Sequence, residues 1–158
     1  MSLASLERTL PANDPILTDS STLLAHFYGD ELVTPAATHV MKVLVESGRN
    51  PAVVSVVSAV EILIRPLRAG AGEAYHNAME FLSRFPNVTI AVADLFVAQE
   101  AASLRATYNF STPDALIIAT GLVYQVGHLV TNDKSWQTKL RPISQRISVC
   151  YLGDHLPL

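Results

Sequence analysis

The chain has 158 residues, of which 49% are hydrophobic and 16% are charged, and this composition fits one domain with a substantial core. A formal net charge of -3 excludes a strongly basic surface, so any contact with nucleic acid is expected to be local or bridged by metal cations. Because Cys150 is the only cysteine, an intramolecular disulfide is excluded and a reducing, cytoplasmic location is expected.

The organisation along the chain predicts a short leader, one folded domain and a short tail. Residues 1–14 include proline and asparagine and predict a flexible leader, residues 15–152 predict the domain, and residues 153–158 predict a C-terminal tail. The low charged fraction leaves some of the surface apolar, which fits either a well-buried core or a face covered by a partner chain.

The first third of the chain predicts two strands and two helices. An apolar run over residues 16–18 predicts the first strand, and residues 20–28 predict the helix that follows it. A second helix is expected over residues 35–46, because apolar side chains recur on one face and a glycine lies beyond its end. The β-branched run over residues 52–56 predicts a buried strand.

A serine followed three residues later by a glutamate predicts the start of the next helix. Ser58 and Glu61 fit a capping box, in which Ser58 caps the helix and Glu61 occupies its third position. This helix is expected to run to about Arg65, since Pro66 lacks the amide hydrogen that a helix interior needs.

The remaining elements continue the alternation of helices and strands. In chain order, we expect a helix over 72–85, a strand over 88–92, helices over 94–108 and 112–124, a strand over 127–131 and a fifth strand over 147–151. Such alternation predicts an α/β fold: a single-domain three-layer α/β/α sandwich around a mostly parallel sheet of four or five strands.

Four carboxylates lie where the carboxyl ends of these strands are expected to meet. Asp19 follows the first strand, Asp133 follows the fourth, and Glu61 and Asp114 lie in first turns of helices. Each acid alone could be a helix cap, a dipole partner or a turn residue. Ligands of open α/β sheets bind at this edge, however, and all four acids are predicted there.

The chemistry of such a cluster points to a metal ion. Converging carboxylates repel one another and raise one another's pKa values, and divalent cations relieve that repulsion. Mg²⁺ or Mn²⁺ suits a site that offers only oxygen ligands. A bound ion helps to generate hydroxide from water and stabilises the charged transition state of phosphoryl transfer. We therefore predict that Asp19, Glu61, Asp114 and Asp133 are both metal ligands and catalytic residues.

Four segments carry a resemblance to a known family. The helix with the third acid and the strand with the fourth, whose acids lie 19 positions apart, are the most specific of them. The segments are ILTDSS (16–21), SVVSAVEIL (55–63), TPDALIIATGL (112–122) and HLVTND (128–133). Over roughly residues 15–152, the chain resembles the PIN-domain nucleases and, within them, the VapC-like toxins of type II toxin–antitoxin pairs.

The resemblance implies a function as well as a fold. It implies hydrolysis of phosphodiester bonds in a single-stranded or structured RNA, with Mg²⁺ or Mn²⁺ as the cofactor. It also implies a homodimer that a cognate antitoxin protein inhibits, with the four acids in the roles given above.

Three further residues are candidates for substrate binding. Thr131 could hydrogen-bond a neighbouring acid or the scissile phosphate, and Lys134 could contact the RNA backbone or remain solvated. Arg65 lies four residues after Glu61, so it could hold a phosphate or form a salt bridge with Glu61.

Two other functions compete with the metal-dependent endoribonuclease. A PIN-like fold without turnover could serve as a protein-interaction module through its apolar surface, although the complete set of acids argues against this. An α/β phosphatase or phosphotransferase would use Asp19 as a covalent nucleophile, but its usual second aspartate is replaced by Ser21.

Overall fold

A computed structural model describes residues 3–29 and 32–156 of the chain. Within these residues, five strands form one sheet in the order β3-β2-β1-β4-β5, and every neighbouring pair is parallel. The strands are β1 (Ile16–Thr18), β2 (Ala52–Ser55), β3 (Val88–Ala91), β4 (His128–Thr131) and β5 (Ser148–Tyr151). The predicted α/β fold and the positions of its strands are confirmed.

Helices occupy the connections between the strands and flank the sheet. The α-helices are α1 (Leu3–Thr9), α2 (Ser20–Tyr28), α3 (Thr34–Thr38), α4 (Val56–Arg68), α5 (Gly72–Arg84), α6 (Leu95–Tyr108), α7 (Thr112–Val123) and α8 (Ser135–Lys139). The described residues also form three short helices of other types: a π-helix (His39–Val45) and two 3₁₀-helices (Arg141–Ile143 and Leu152–His155). Among residues 3–29 and 32–156, no helix is both long and apolar enough to cross a membrane.

The strand order creates a crevice between β1 and β4. The chain runs outward from the central β1 to β2 and β3, and then crosses over to add β4 and β5 on the other side of β1. Thr18 at the end of β1 is paired in register with Val130 of β4. Loops that follow β1 and β4 therefore start side by side, at the point where ligands of doubly wound sheets bind.

The central strand β1 is buried on both faces, as strands inside parallel sheets usually are. Successive side chains of a strand point to opposite faces, and in β1 the fully buried Ile16 and Leu17 belong to two different hydrophobic clusters. The cluster around Ile16 includes residues of α1, α2, α3 and α5, whereas the cluster around Leu17 includes residues of α6, α7 and α8. This double burial fixes the register of β1 and with it the position of the residue that follows.

The N-terminal segment differs from the flexible leader that was expected over residues 1–14. Residues 3–9 form α1, and Leu6 and the following Leu10 are fully buried in the core. Ser5 is hydrogen-bonded to His155, with its Oγ 2.6 Å from Nδ1, so α1 also holds part of the expected tail over residues 153–158. Residues 1, 2, 157 and 158 of these two segments lie outside the described residues.

The helix start expected at Ser58 is wrong by three residues. Ser55 is the N-cap of α4 and accepts a hydrogen bond of 3.2 Å from the amide of Val57, whereas Ser58 lies inside the helix and is buried. The helix also continues through Pro66 to Arg68. The capping-box pattern failed because β2 ends at Ser55, so its serine is the first residue able to cap the helix.

Two other helices differ in detail from the prediction. The helix expected over residues 35–46 begins at Thr34 as α3 and continues as the π-helix His39–Val45. The cap of α7 is Ser111, whose hydroxyl accepts a hydrogen bond from the Asp114 amide at 3.3 Å, rather than Thr112. Asp114 nevertheless lies in the first turn of α7, as the sequence predicted.

Candidate active site

Asp19 is a buried carboxylate held by three hydrogen bonds. Only 4% of the residue is exposed, and it caps α2 by accepting from the Thr22 amide at 3.1 Å. Ser21 Oγ donates to its Oδ1 at 2.7 Å and Thr131 Oγ1 donates to its Oδ2 at 2.6 Å. Burial raises the pKa of Asp19, and the charge of Asp133 raises it further, while the three hydrogen bonds oppose the rise.

Thr131 and Ser21 join the loop after β4 to the loop after β1. Thr131 donates to Asp19 and accepts a hydrogen bond of 2.9 Å from the Asp133 amide. Ser21 Oγ accepts from the Asn132 amide at 2.8 Å. Of the two contacts considered for Thr131, the structure shows the one to a neighbouring acid. In the sequence, Ser21 is notable only because it stands where a phosphatase would have a second aspartate. Its hydrogen bonds with Asp19 and with the Asn132 amide were not predicted.

Glu61 is connected to the same loop through Ser20. The Glu61 side chain is exposed on the surface of α4, and its Oε2 accepts a hydrogen bond from Ser20 Oγ. Ser20 directly follows Asp19 in the chain. A salt bridge between Glu61 and Arg65 is not among the ion pairs of residues 3–29 and 32–156. The Arg65 guanidinium lies instead over the ring of Tyr28, with Cζ 4.1 Å from the ring centre.

Asp133 is exposed, like Glu61, and lies in the loop after β4. Its Oδ1 accepts a hydrogen bond of 2.9 Å from the Ser135 amide at the start of α8, so the carboxylate also serves as a turn residue. Both Asp133 and Lys134 are exposed. Exposure leaves these side chains free to turn toward a ligand in the crevice.

Asp114 has a basic partner that the sequence analysis missed. Its Oδ2 lies 3.0 Å from Nζ of Lys139, and 24% of the aspartate side chain and 37% of the lysine side chain are exposed. Lys139 comes from α8, 25 residues farther along the chain. No local sequence signal marks this pair, because it depends on how α8 packs beside α7 in the folded protein.

These contacts connect three of the four predicted acids through short paths. Thr131 is hydrogen-bonded both to the Asp19 carboxylate and to the Asp133 amide. Ser20, which follows Asp19 in the chain, is hydrogen-bonded to Glu61. For Asp114, the contact is with Lys139. In the described part of the chain, no three histidine, cysteine, aspartate or glutamate side chains are arranged closely enough to hold a metal ion. Their joint role as ligands stays a prediction.

The donor atoms nevertheless fit an oxygen-preferring divalent cation. The crevice offers carboxylates and hydroxyls, and Asp19 is an acid whose charged form is disfavoured by burial and by a nearby negative charge. A cation would relieve both penalties. The exposed Glu61 and Asp133 can reorient to complete a ligand set, so the site fits Mg²⁺ or Mn²⁺ by donor type.

Fold and site together define a doubly wound α/β domain with a carboxylate-rich crevice at the switch point of its sheet. The profile of the PIN domain family matches residues 16–139, and the chain belongs to this family. That family is typically composed of metal-dependent nucleases. A search of curated proteins gave no match.

Several solved structures share the fold. A toxin–antitoxin complex from Klebsiella pneumoniae is 18% identical with a TM-score of 0.63, over 87% of this chain and 97% of that chain. VapC20 of Mycobacterium tuberculosis, a sarcin-ricin loop cleaving toxin, is 13% identical with a TM-score of 0.64, over 78% and 93%. VapBC2 from Rickettsia felis, bound to promoter DNA, is 12% identical with a TM-score of 0.65, over 86% and 97%.

Proposed function

We propose that this protein is a Mg²⁺- or Mn²⁺-dependent endoribonuclease that hydrolyses RNA phosphodiester bonds, and that it is the toxin of a toxin–antitoxin pair in the cytoplasm. The observation that carries the proposal is the buried Asp19 carboxylate, fixed by Thr131 and Ser21 at the switch point of a PIN-family sheet. An aspartate of this kind is costly for a purely structural role, because its charge is desolvated.

Asp19, Glu61, Asp114 and Asp133 are the proposed ligands and catalytic residues. When bound, the ion would supply a nucleophilic water at neutral pH and stabilise the negative charge that develops on the phosphate. The protein contributes a preset orientation of Asp19, since its three hydrogen bonds leave little freedom to lose on binding. Ser20 holds Glu61 toward the same loop.

The phosphotransferase alternative requires Asp19 to attack a phosphate directly. Both carboxylate oxygens of Asp19 already accept hydrogen bonds, and the residue is 4% exposed. Ser21 occupies the position of the second aspartate that this mechanism usually has, and its hydroxyl donates to Asp19, so the acid that would accompany the nucleophile is missing.

Arg65 and Lys134 are the proposed contacts to RNA. Arg65 is exposed on α4, one helical turn from Glu61, and its guanidinium lies over the ring of Tyr28. A stacked guanidinium can bind a phosphate or stack against an unpaired base, as proteins that bind single-stranded RNA often do. Such local contacts reconcile RNA binding with a net charge of -3.

A cognate antitoxin is the proposed regulatory partner. Structural neighbours include toxin–antitoxin complexes from Klebsiella pneumoniae and Rickettsia felis, which supports a partner of this kind. We expect its chain to cross the acid crevice, where a basic side chain would pair with the carboxylates and compete with metal. Coexpression of the adjacent open reading frame should relieve growth arrest caused by this protein, and a failure to do so would count against the pairing.

A homodimer is also proposed, with a specific surface. Val92, Leu95 and Phe96 are 64%, 82% and 71% exposed after β3, and Val56 and Val60 are 37% and 52% exposed after the adjacent β2. An apolar surface of this kind is commonly covered by a partner chain. Light scattering should report a dimer for the wild type and a monomer for Phe96→Glu, whereas Val123→Glu at the opposite end of the sheet should remain dimeric.

The decisive experiment for the proposed function is a metal-controlled nuclease assay. Purified protein should cleave RNA with Mg²⁺ or Mn²⁺ and lose that activity in EDTA, and Asp114→Asn should lose most of its turnover. Cleavage that survives chelation would exclude the metal mechanism. A folded protein that neither cleaves RNA nor binds metal, yet binds another protein through its apolar surface, would support the non-catalytic module instead.

A further inference from the structure

Lys139 places a positive charge directly against one of the four acids. Its Nζ lies 3.0 Å from Asp114 Oδ2, and it is also 4.8 Å from the centre of the Trp136 ring. Within the described ranges, this is the one ion pair that contains Asp19, Glu61, Asp114 or Asp133.

The position of Lys139 is set by the fold. The helix α8 begins directly after the loop that carries Asp133, and Trp136, which is 3% exposed, anchors it in the hydrophobic cluster that also contains residues of α6 and α7. Residues three apart lie on the same side of a helix, so the buried indole and the lysine stem run together toward Asp114. Because the ammonium group belongs to the same chain as the carboxylate, its local concentration there does not depend on the protein concentration.

We propose that Lys139 is a built-in counter-ion, which neutralises Asp114 in the metal-free protein and competes with the divalent cation for that carboxylate. The inference rests on the proposed role of Asp114 as a metal ligand. It makes Lys139 a positioning residue that raises the metal concentration at which the site fills.

The competition arises because the Lys139 ammonium group and the metal ion are attracted to the same Asp114 carboxylate. A divalent cation that binds the Asp114 carboxylate brings a second positive charge next to the Lys139 ammonium group, so metal binding weakens or breaks the ion pair. The lost ion pair is then subtracted from the binding free energy of the metal. In return, the metal-free protein is relieved of part of the repulsion among its acids.

A calorimetric titration of metal-free protein with Mn²⁺, without RNA, tests the competition. Lys139→Gln removes the charge and should lower the Kd for Mn²⁺ about twofold to fivefold, the range expected for one partly exposed ion pair. Lys139→Arg keeps the charge and should remain near the wild type. Arg141→Gln, which removes an exposed charge two residues farther along the chain, should change the Kd by no more than about 1.5-fold because solvent screens it.

Melting temperatures with and without Mn²⁺ provide a second test of the competition. Lys139→Gln should melt lower than the wild type in EDTA and show a larger rise on addition of Mn²⁺, because a tighter ligand stabilises the folded state more. In the Asp114→Asn background, Lys139→Gln should leave the Kd unchanged, since the lysine then has no carboxylate to release.

Three other results would overturn the counter-ion role of Lys139. An unchanged or weaker Kd for Lys139→Gln, beside a wild type that binds Mn²⁺, would overturn the counter-ion role and leave the metal-dependent nuclease intact. The same would follow if Lys139→Gln tightened binding equally in the Asp114→Asn background. If neither the wild type nor Lys139→Gln bound Mn²⁺, both the counter-ion role and the proposed metal site would be overturned.

Discussion

The hydroxyl of Thr131 donates a 2.6 Å hydrogen bond to Oδ2 of Asp19, and this contact joins the carboxyl ends of the adjacent strands β4 and β1. Both residues are buried. The contact means that the candidate active site and the centre of the sheet share a single polar network, so changes in one are expected to alter the other.

Replacing Thr131 with valine removes this donor and keeps the side-chain shape. The Asp19 carboxylate would then be buried with one fewer hydrogen bond, and we expect the free energy of unfolding to fall by about 1.5–3 kcal/mol, as for hydrogen bonds to charged groups. Urea denaturation in EDTA measures the loss. Thr131→Ser keeps the hydroxyl and should retain most of the stability; equal stability of Thr131→Val and the wild type would show that the bond contributes little.

The sequence predicted the placement of the acids better than their contacts. Asp19 and Asp133 follow strands and Asp114 opens a helix, and these relations depend on local pattern and on the general rule for parallel sheets. The pair of Asp114 with Lys139 depends on how α8 packs against α7, and no local pattern records such packing.

Local patterns also misled in particular places. Ser58 and Glu61 have the spacing of a capping box, but the end of β2 at Ser55 decides where α4 begins. Pro11 and Asn13 favoured a loose leader, yet Leu3 and Leu6 of α1 pack against the core together with Leu10, which follows the helix. A segment this short is a weak helix alone, so burial rather than propensity accounts for its structure.

Two isosteric substitutions should separate repulsion from pairing among the acids. Asp19→Asn removes a buried charge that lacks an ion-pair partner among the described residues, and asparagine can still cap α2, so stability in EDTA should stay constant or rise. Asp114→Asn also removes the ion pair with Lys139 and should lose about 0.2–1 kcal/mol.

Thermal melts of both variants with EDTA and with Mg²⁺ provide the measurement. The wild type should gain stability on addition of Mg²⁺, and each variant should gain less, since metal that binds only the folded state stabilises it by mass action. If neither the wild type nor the variants responded to metal, Asp19 would be a helix cap and nothing more, a role that asparagine fills about as well as aspartate.

Acid should destabilise the protein through two partly or fully buried histidines. Burial lowers the pKa of His155, and burial followed by the charge of Lys42 lowers that of His26, in both cases from an ordinary value of 6.5. Below about pH 6.5, the unfolded chain therefore binds protons that the folded state resists. The free energy of unfolding should fall as the pH drops, by at most about 1.4 kcal/mol per pH unit for each histidine.

Denaturation between pH 7.5 and 5 would reveal this dependence, and His155→Gln should make it shallower. This variant also weakens the contact with Ser5, so the comparison concerns the slope with pH rather than stability at one pH. His76→Gln changes an exposed histidine on α5 and should leave the slope unchanged. An identical slope in His155→Gln and the wild type would assign the acid sensitivity to other groups.

Arg65, held over Tyr28, should contribute to RNA affinity without contributing to metal binding. In an Asp114→Asn background that binds RNA without cleaving it, Arg65→Ala should weaken binding about threefold to tenfold and reduce the salt slope by about 0.7, as expected for one lost phosphate contact on a single strand. Fluorescence anisotropy with a labelled single-stranded RNA at several salt concentrations measures both quantities. Arg65→Lys retains the charge but lacks the planar guanidinium over Tyr28, so it should keep the salt slope and recover only part of the affinity. Arg68→Ala removes an exposed charge from the last turn of the same helix and serves as the matched control. If Arg68→Ala and Arg65→Ala weakened binding equally, α4 would act through its general charge, and the stack on Tyr28 would have no specific role in RNA recognition.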